Sequence, residues 1–157
     1  MKRDHQILTL LILILLASLV YFMTPVGVNG IVEYKAIEGR MSGDIVEGIL
    51  EIMPSHTDQP SIRIEKKELE HSISVDDNDI FISDSLHESL EGKYISVEYI
   101  VAVKIGSADP VNNVREGETY AYLVDRNDFN DVKIGDNVIC KVSRHKKSTI
   151  NRLIVDS

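Results

Sequence analysis

Asp76-Asp77-Asn78-Asp79 sets three carboxylates and an amide side by side, a group of hard oxygen donors of the kind calcium takes. The spacing works against that use. A calcium loop draws ligands from alternate positions and needs a glycine at its sharp turn. Counting from Asp76 brings Ile80 to the fifth position, counting from Asp77 brings Phe81 there, and neither frame supplies the glycine. Asp125-Arg126-Asn127-Asp128-Phe129-Asn130-Asp131 fails similarly, with Phe129 where a ligand is needed. Both segments are therefore expected as solvated turns, and a weak calcium-dependent binding module stays as an alternative. The five histidines, His5, His56, His71, His87 and His145, have neither helical nor finger-like ligand spacing. With a single cysteine, no standard zinc site can be written. No cofactor and no resident metal are expected. His87 stands next to Glu88, but adjacent helix positions point apart, so His87 is expected on the surface rather than in an acid/base pair.

Cys140 is the sole cysteine, which excludes an intramolecular disulfide. It lies in Val138-Ile139-Cys140-Lys141-Val142, where alternation places it with Val138 and Val142 on the inward face of a strand. Arg144-His145-Lys146-Lys147 is the dense basic cluster of the C-terminal part. At a hairpin tip it could contact a partner protein or anionic lipid, with about 1 kcal/mol per basic residue near a charged surface. Tyr94, Tyr120 and Tyr122 could form an amphipathic patch, but Tyr120 and Tyr122 share a face with Val124 and are expected in or beside the core. The net charge is −8, and setting aside Lys2, Arg3 and Asp4 leaves 15 basic against 24 acidic side chains. A body of that sign repels nucleic acid, because phosphate binding needs clustered cations.

These groups must be positioned by what surrounds them. From Ile7 to Met23 the chain reads ILTLLILILLASLVYFM, and no charge falls between Gln6 and Val32. Such a run is the length of a short spanning helix or a long signal-peptide core. Lys2 and Arg3 precede it and Glu33 is the first charge after it, so the N-terminus is expected in the cytoplasm and the rest beyond the membrane. Pro25 breaks the helix, and Val28-Asn29-Gly30 would suit a signal cleavage site. The division is residues 1–30 as a membrane anchor or signal segment and 31–157 as an exported domain. The anchored, single-pass form is preferred, and the alternative is secretion after cleavage near Gly30. No cysteine in the targeting segment is available for lipid attachment, and the absence of an Asn-x-Ser/Thr sequon leans toward a prokaryotic source.

Beyond Gly30, short alternating apolar runs separated by turn residues spell an all-β small barrel or sandwich with one short helix. Val32, Tyr34 and Ala36 make one face. Val46, Leu50 and Ile52 follow the Gly39 to Gly43 turn, and Ile62 and Ile64 start a third strand. His71 to Val75 and Ile80 to Ser83 form a hairpin across the acidic loop. Ser85 and Glu88 form a capping box for a helix whose Leu86 and Leu90 face inward and which Gly92 ends. Ile95, Val97, Tyr99, Val101, Val103 and Ile105 line one face of a strand long enough to bend around a barrel. A last hairpin joins Val138 to Val142 with Ile150 to Val155.

Gly92-Lys93-Tyr94-Ile95 and Gly135-Asp136-Asn137-Val138, each opening a long alternating strand, resemble the strand starts of oligonucleotide/oligosaccharide-binding-type barrels, over about half the chain. That resemblance implies a fold and no function. The layout of anchor plus β-rich domain is also similar to signal peptidases, whose nucleophilic serine precedes a methionine and then a proline. Met41-Ser42-Gly43-Asp44 reverses that order and has no proline, so the role is not carried to Ser42. The haem chaperones of cytochrome c maturation share the layout but carry a tyrosine closely after their histidine; none follows His145. The expected function is a non-enzymatic protein-binding or assembly module, attached to the membrane by its N-terminal helix and serving another envelope protein. The alternatives are a diverged serine hydrolase and the calcium-dependent module.

Overall fold

The computed structural model describes residues 2–23, 26–55, 59–69, 73–76, 79–107, 115–142 and 150–155. The first element is a helix, α1 (Lys2–Met23), of 22 residues. Side chains are described for its residues 7 and 9–21, and all are exposed. Among the described residues no helix is long and apolar enough to cross a membrane.

The rest is mostly antiparallel sheet. β1 (Val26–Arg40), β2 (Val46–Met53), β3 (Ser61–Ile64), β6 (Ser96–Ile105), β7 (Thr119–Val124), β8 (Asn137–Val142) and β9 (Ile150–Val155) make a seven-stranded sheet, and β4 (Ser74–Asp76) with β5 (Asp79–Phe81) makes a separate two-stranded one. β1 organises the larger sheet. One of its edges pairs with β6 from Gly30 to Arg40. The other pairs first with β8, from Val26 to Ile31, and then with β2, from Lys35 to Arg40. Between those two partners the chain is held by Val32 N–H donating to the Asp136 carbonyl and Gly135 N–H donating to the Val32 carbonyl. β7 continues from β6, β9 from β8, and β7 lies against β9, so the sheet curls back on itself. The sheet thus begins at Val26, ahead of the boundary drawn at Gly30, and Val28 is already core.

A bulge between Val32 and Tyr34 breaks the expected alternation of β1. Val32 points inward, but after the bulge Lys35 and Ile37 take over the buried phase, and Ala36 is buried on the other face. Tyr34, expected beside Val32 and Ala36, is only half-buried. In β6 the inward face runs through Tyr99, Val101, Val103 and Ile105 as the alternation requires, while Ile95 precedes the strand and is 74% exposed. Gly39 permits one close approach: a Cβ there would lie 2.4 Å from the Tyr94 ring.

More helix forms than the sequence announces. α2 (Asp84–Lys93) is capped by Ser83, whose hydroxyl accepts from Leu86 N–H, so the cap lies two residues ahead of the expected Ser85. Gly92 sits inside the helix and Tyr94 is its C-cap. Leu86 and Leu90 are buried as expected. The segment read as a polar turn is α3 (Arg126–Asp131), capped by Asp125 accepting from Asp128 N–H, and its Phe129 is wholly buried. A short 3-10 turn covers Lys67–Leu69.

The core joins the inner face of the curled sheet to α2, α3 and the β4–β5 hairpin, and includes Leu50, Ile80, Leu90, Val101, Tyr122 and Phe129. Burying each such side chain contributes roughly 1.5–3 kcal/mol. Cys140 is in this core beside Val138, as alternation requires.

Candidate functional site

The β1 bulge delivers one charged group into the core. Lys35 is 0% exposed, and its Nζ donates to Asp79 Oδ1 at 2.8 Å, Asp79 Oδ2 at 3.0 Å and the Val132 carbonyl at 2.7 Å. Nζ also lies 4.4 Å from the Phe129 ring centre, within cation–π range. Asp79 is 8% exposed, and its Oδ1 accepts from Ile80 N–H at 2.8 Å. Four elements meet here, because β1 supplies the amine, β5 the carboxylate, α3 the ring and the segment after α3 the carbonyl. Burial holds the Lys35 amine below its usual range, opposed by the bond to Asp79 and by the charges of Asp79 and Asp136. Desolvating two ions costs several kcal/mol each, repaid only by good geometry and full hydrogen bonding.

Asp79, Ile80, Phe81, Asn130 and Lys133 line a small cleft of about 130 Å³ beside this pair. Asn130 holds the hairpin to α3, since its Oδ1 accepts from Ile82 N–H at 2.9 Å and its Nδ2 donates to the Ile82 carbonyl at 3.1 Å. The acidic turn is thus corrected in part. Asp79 is no solvated residue but the inner half of a buried pair; Asp77 and Asn78 lie outside the described residues. In the second acidic segment, Asp125 is a helix cap and Asp128 Oδ2 accepts from Leu153 N–H. Among the described residues no group of three or more His, Cys, Asp or Glu side chains could hold a metal ion.

His87 is half-buried on α2 and turns away from Glu88. Its Nδ1 lies 2.7 Å from the Tyr99 hydroxyl, and its Nε2 lies 3.4 Å from Glu91, one helical turn on. Burial, opposed by Arg126 and reinforced by Glu91, pushes the Tyr99 phenol up to about 12. Arg126 pairs with Asp84, tying α3 to α2. Ser42 is exposed in the β1–β2 turn. The cation of that turn is Arg40, engaged by Glu98 at 3.1 Å and Asp44 at 3.8 Å; a guanidinium does not act as a base in proteins.

The β1–β2 turn carries a different feature. Met41 N–H donates to the Ile45 carbonyl, and Ile95 N–H donates to the Arg40 carbonyl, each at 2.8 Å. Ile45 and Ile95 therefore flank Met41 at one end of the sheet, together with Val46, and the four are 37–74% exposed. At the other end of the pairing with β6, a wider cleft of about 460 Å³ is bounded by Asn29, Ile31, Ser107 and Asn137. Of the tyrosines, Tyr94 and Tyr122 are core and Tyr120 is half-buried against it. The basic cluster Arg144, His145, Lys146 and Lys147 lies outside the described residues, as do His56, His71 and His145 among the histidines.

Sequence reasoning missed Lys35 and the apolar end, and it placed Asp79 in a solvated acidic turn. The available signals were a lone lysine inside Tyr34-Lys35-Ala36-Ile37 and, at the end of the acidic run, an aspartate directly ahead of Ile80-Phe81-Ile82. Compared with known proteins, the chain matches no family model, no curated protein and no solved structure.

Proposed function

We propose that the chain is a single-pass membrane protein whose N-terminal helix holds a small extracytoplasmic β-barrel, and that this barrel is a non-enzymatic docking module for another envelope protein. The observation that carries the reading is the course of β1. The strand starts at Val26, immediately after α1, and runs for 15 residues to Arg40, a path of about 50 Å at 3.3 Å per residue. A helix with exposed apolar side chains thus stands at one end of the strand, and the exposed Met41, Ile45, Val46 and Ile95 at the other. Exposed apolar clusters of this kind mark protein contacts, and this one is held away from the bilayer.

Three further points support the anchor. Lys2 and Arg3 precede the apolar run and Glu33 is the first charge beyond it, which orients the domain outward. The described side chains of α1 from Leu10 to Leu16 are all about half exposed or more, so the domain does not cover them. Cleavage after Gly30 would remove Val28 from the core and most of the β1 ladder with β8, which favours retention of the helix. Val26 pairs with Val142, and Val142 with Ile150. Arg144, His145, Lys146 and Lys147 fall between those last two positions in sequence, and a basic cluster of this kind suits anionic headgroups.

Cross-linking in native membranes tests the reading. Tagged full-length protein should capture a reproducible partner, and Ile45→Asp with Ile95→Asp should abolish capture while leaving the melting temperature of the domain within a few degrees. Capture unaffected by both substitutions, or recovery of the domain free in the medium, would overturn it.

A further inference from the structure

We propose that Lys35 and Asp79 are a covalent cross-linking site, in which Lys35 Nζ attacks Asp79 Cγ and joins β1 to β5 through an amide, with loss of one water. The inference is independent of the docking reading. It rests on the surroundings of the pair, which fit the product as well as they fit the ions.

The amine and the carboxylate are confined together in the core, with both carboxylate oxygens within 3.0 Å of Nζ. Transfer of one proton from Nζ to Oδ2 converts the buried ion pair into a neutral amine and a neutral acid, the forms that condense. Burial disfavours the charged form of the Lys35 amine, and the neutral form carries the nucleophilic lone pair. As the N–C bond forms, negative charge develops on Oδ1, where Ile80 N–H already points at 2.8 Å, in the manner of an oxyanion hole. The Cγ–Oδ2 bond then breaks, and Oδ2 departs as water with a second proton from the nitrogen. Amine and acid give amide and water, so no oxidant, reductant or further reactant enters. Holding the groups together replaces a bimolecular collision, an advantage that reaches effective molarities of about 10⁵–10⁸ M in well-oriented cases.

The product leaves no polar atom stranded. Its one N–H meets the Val132 carbonyl, now 2.7 Å from Nζ, its carbonyl oxygen keeps Ile80 N–H, and the Phe129 ring packs over the flat amide. Two buried charges, each costly to desolvate, disappear. The bond would also link the two-stranded β4–β5 sheet to the seven-stranded one, which do not share a ladder. A chain with Cys140 as its only cysteine cannot form a disulfide within itself, and this amide would provide a cross-link that no reductant opens.

Mass spectrometry of the purified full-length chain, denatured before measurement, tests the inference without requiring any variant to fold. The expected result is a tryptic branched peptide joining the Lys35 and Asp79 segments, lighter than the two peptides by one water, and its loss in Lys35→Arg and in Asp79→Ala. Recovery of the two segments as separate, unmodified peptides overturns the proposal. So does a water loss that persists in Lys35→Arg, which would place it at a dehydrated aspartate.

Discussion

Three buried weak acids and one half-buried one couple this protein to alkaline pH. Tyr34, Tyr99 and Tyr122 are each pushed up from 10.0 to about 12, burial being the largest cause in every case. Burial raises the Cys140 thiol from 9.0 to about 12, with the charge of Asp128 acting in the same direction. The folded state holds these protons after the unfolded chain has released them. Their contribution is whole below pH 9.0 to 10.0 and is lost as pH rises toward 12. Lys35 acts oppositely if it remains a free amine, because its folded value is lowered and its contribution grows as pH rises toward 10.5. One amine does not offset four acids. The domain should therefore unfold cooperatively between about pH 10 and 12, with circular dichroism and phenolate absorbance changing together. Phenols that titrate near 10 with no loss of fold would refute this. Tyr122→Phe should delay the transition and add about 1 kcal/mol of stability at neutral pH, because the Tyr122 hydroxyl is buried with no partner among the described residues.

The elements differ in how far their sequences disclose them. Gly39 is a position where an element depends on a missing side chain, since any Cβ would meet the buried Tyr94 ring at 2.4–2.6 Å. Gly39→Ala should cost roughly 1–3 kcal/mol by overpacking, read as a lower urea midpoint. Trimming the ring in a Gly39→Ala, Tyr94→Leu pair should recover part of the loss, and a single variant as stable as the parent would show that Tyr94 moves freely. Long alternation made β6 and the β8–β9 hairpin legible, and it put Cys140 on the correct face. The apolar pair Leu86 and Leu90 with flanking serines announced α2, although the competing hydroxyls of Ser83 and Ser85 blurred its start. α3 was hidden because six residues make fewer than two turns, too short for periodicity to register. Its one apolar residue, Phe129, looked like a flaw in an ion loop. The Lys35–Asp79 pair was illegible for another reason: a bulge in β1, at a place with no glycine to mark it, changed which residues face inward.

At the scale of the molecule, β1 makes the N-terminal boundary a matter of structure. Removing residues 2–23 should leave a domain that folds, because the sheet begins after them. Removing residues 2–30 should not, since Val28 and most of the ladder with β8 go with them. Proton exchange spectra or protease resistance of the two truncations would decide, and equal behaviour would mean that the first turns of β1 are dispensable. That ladder also sets an order of events. Val26 pairs with Val142, so this part of β1 waits until β8 has been made before that edge is satisfied. Contacts that distant in sequence slow folding, and an unpaired strand edge in the meantime invites association with other chains. The interval between making β1 and making β8 is thus when a growing chain is most exposed to misassembly, and slower synthesis over residues 41–136 would lengthen it.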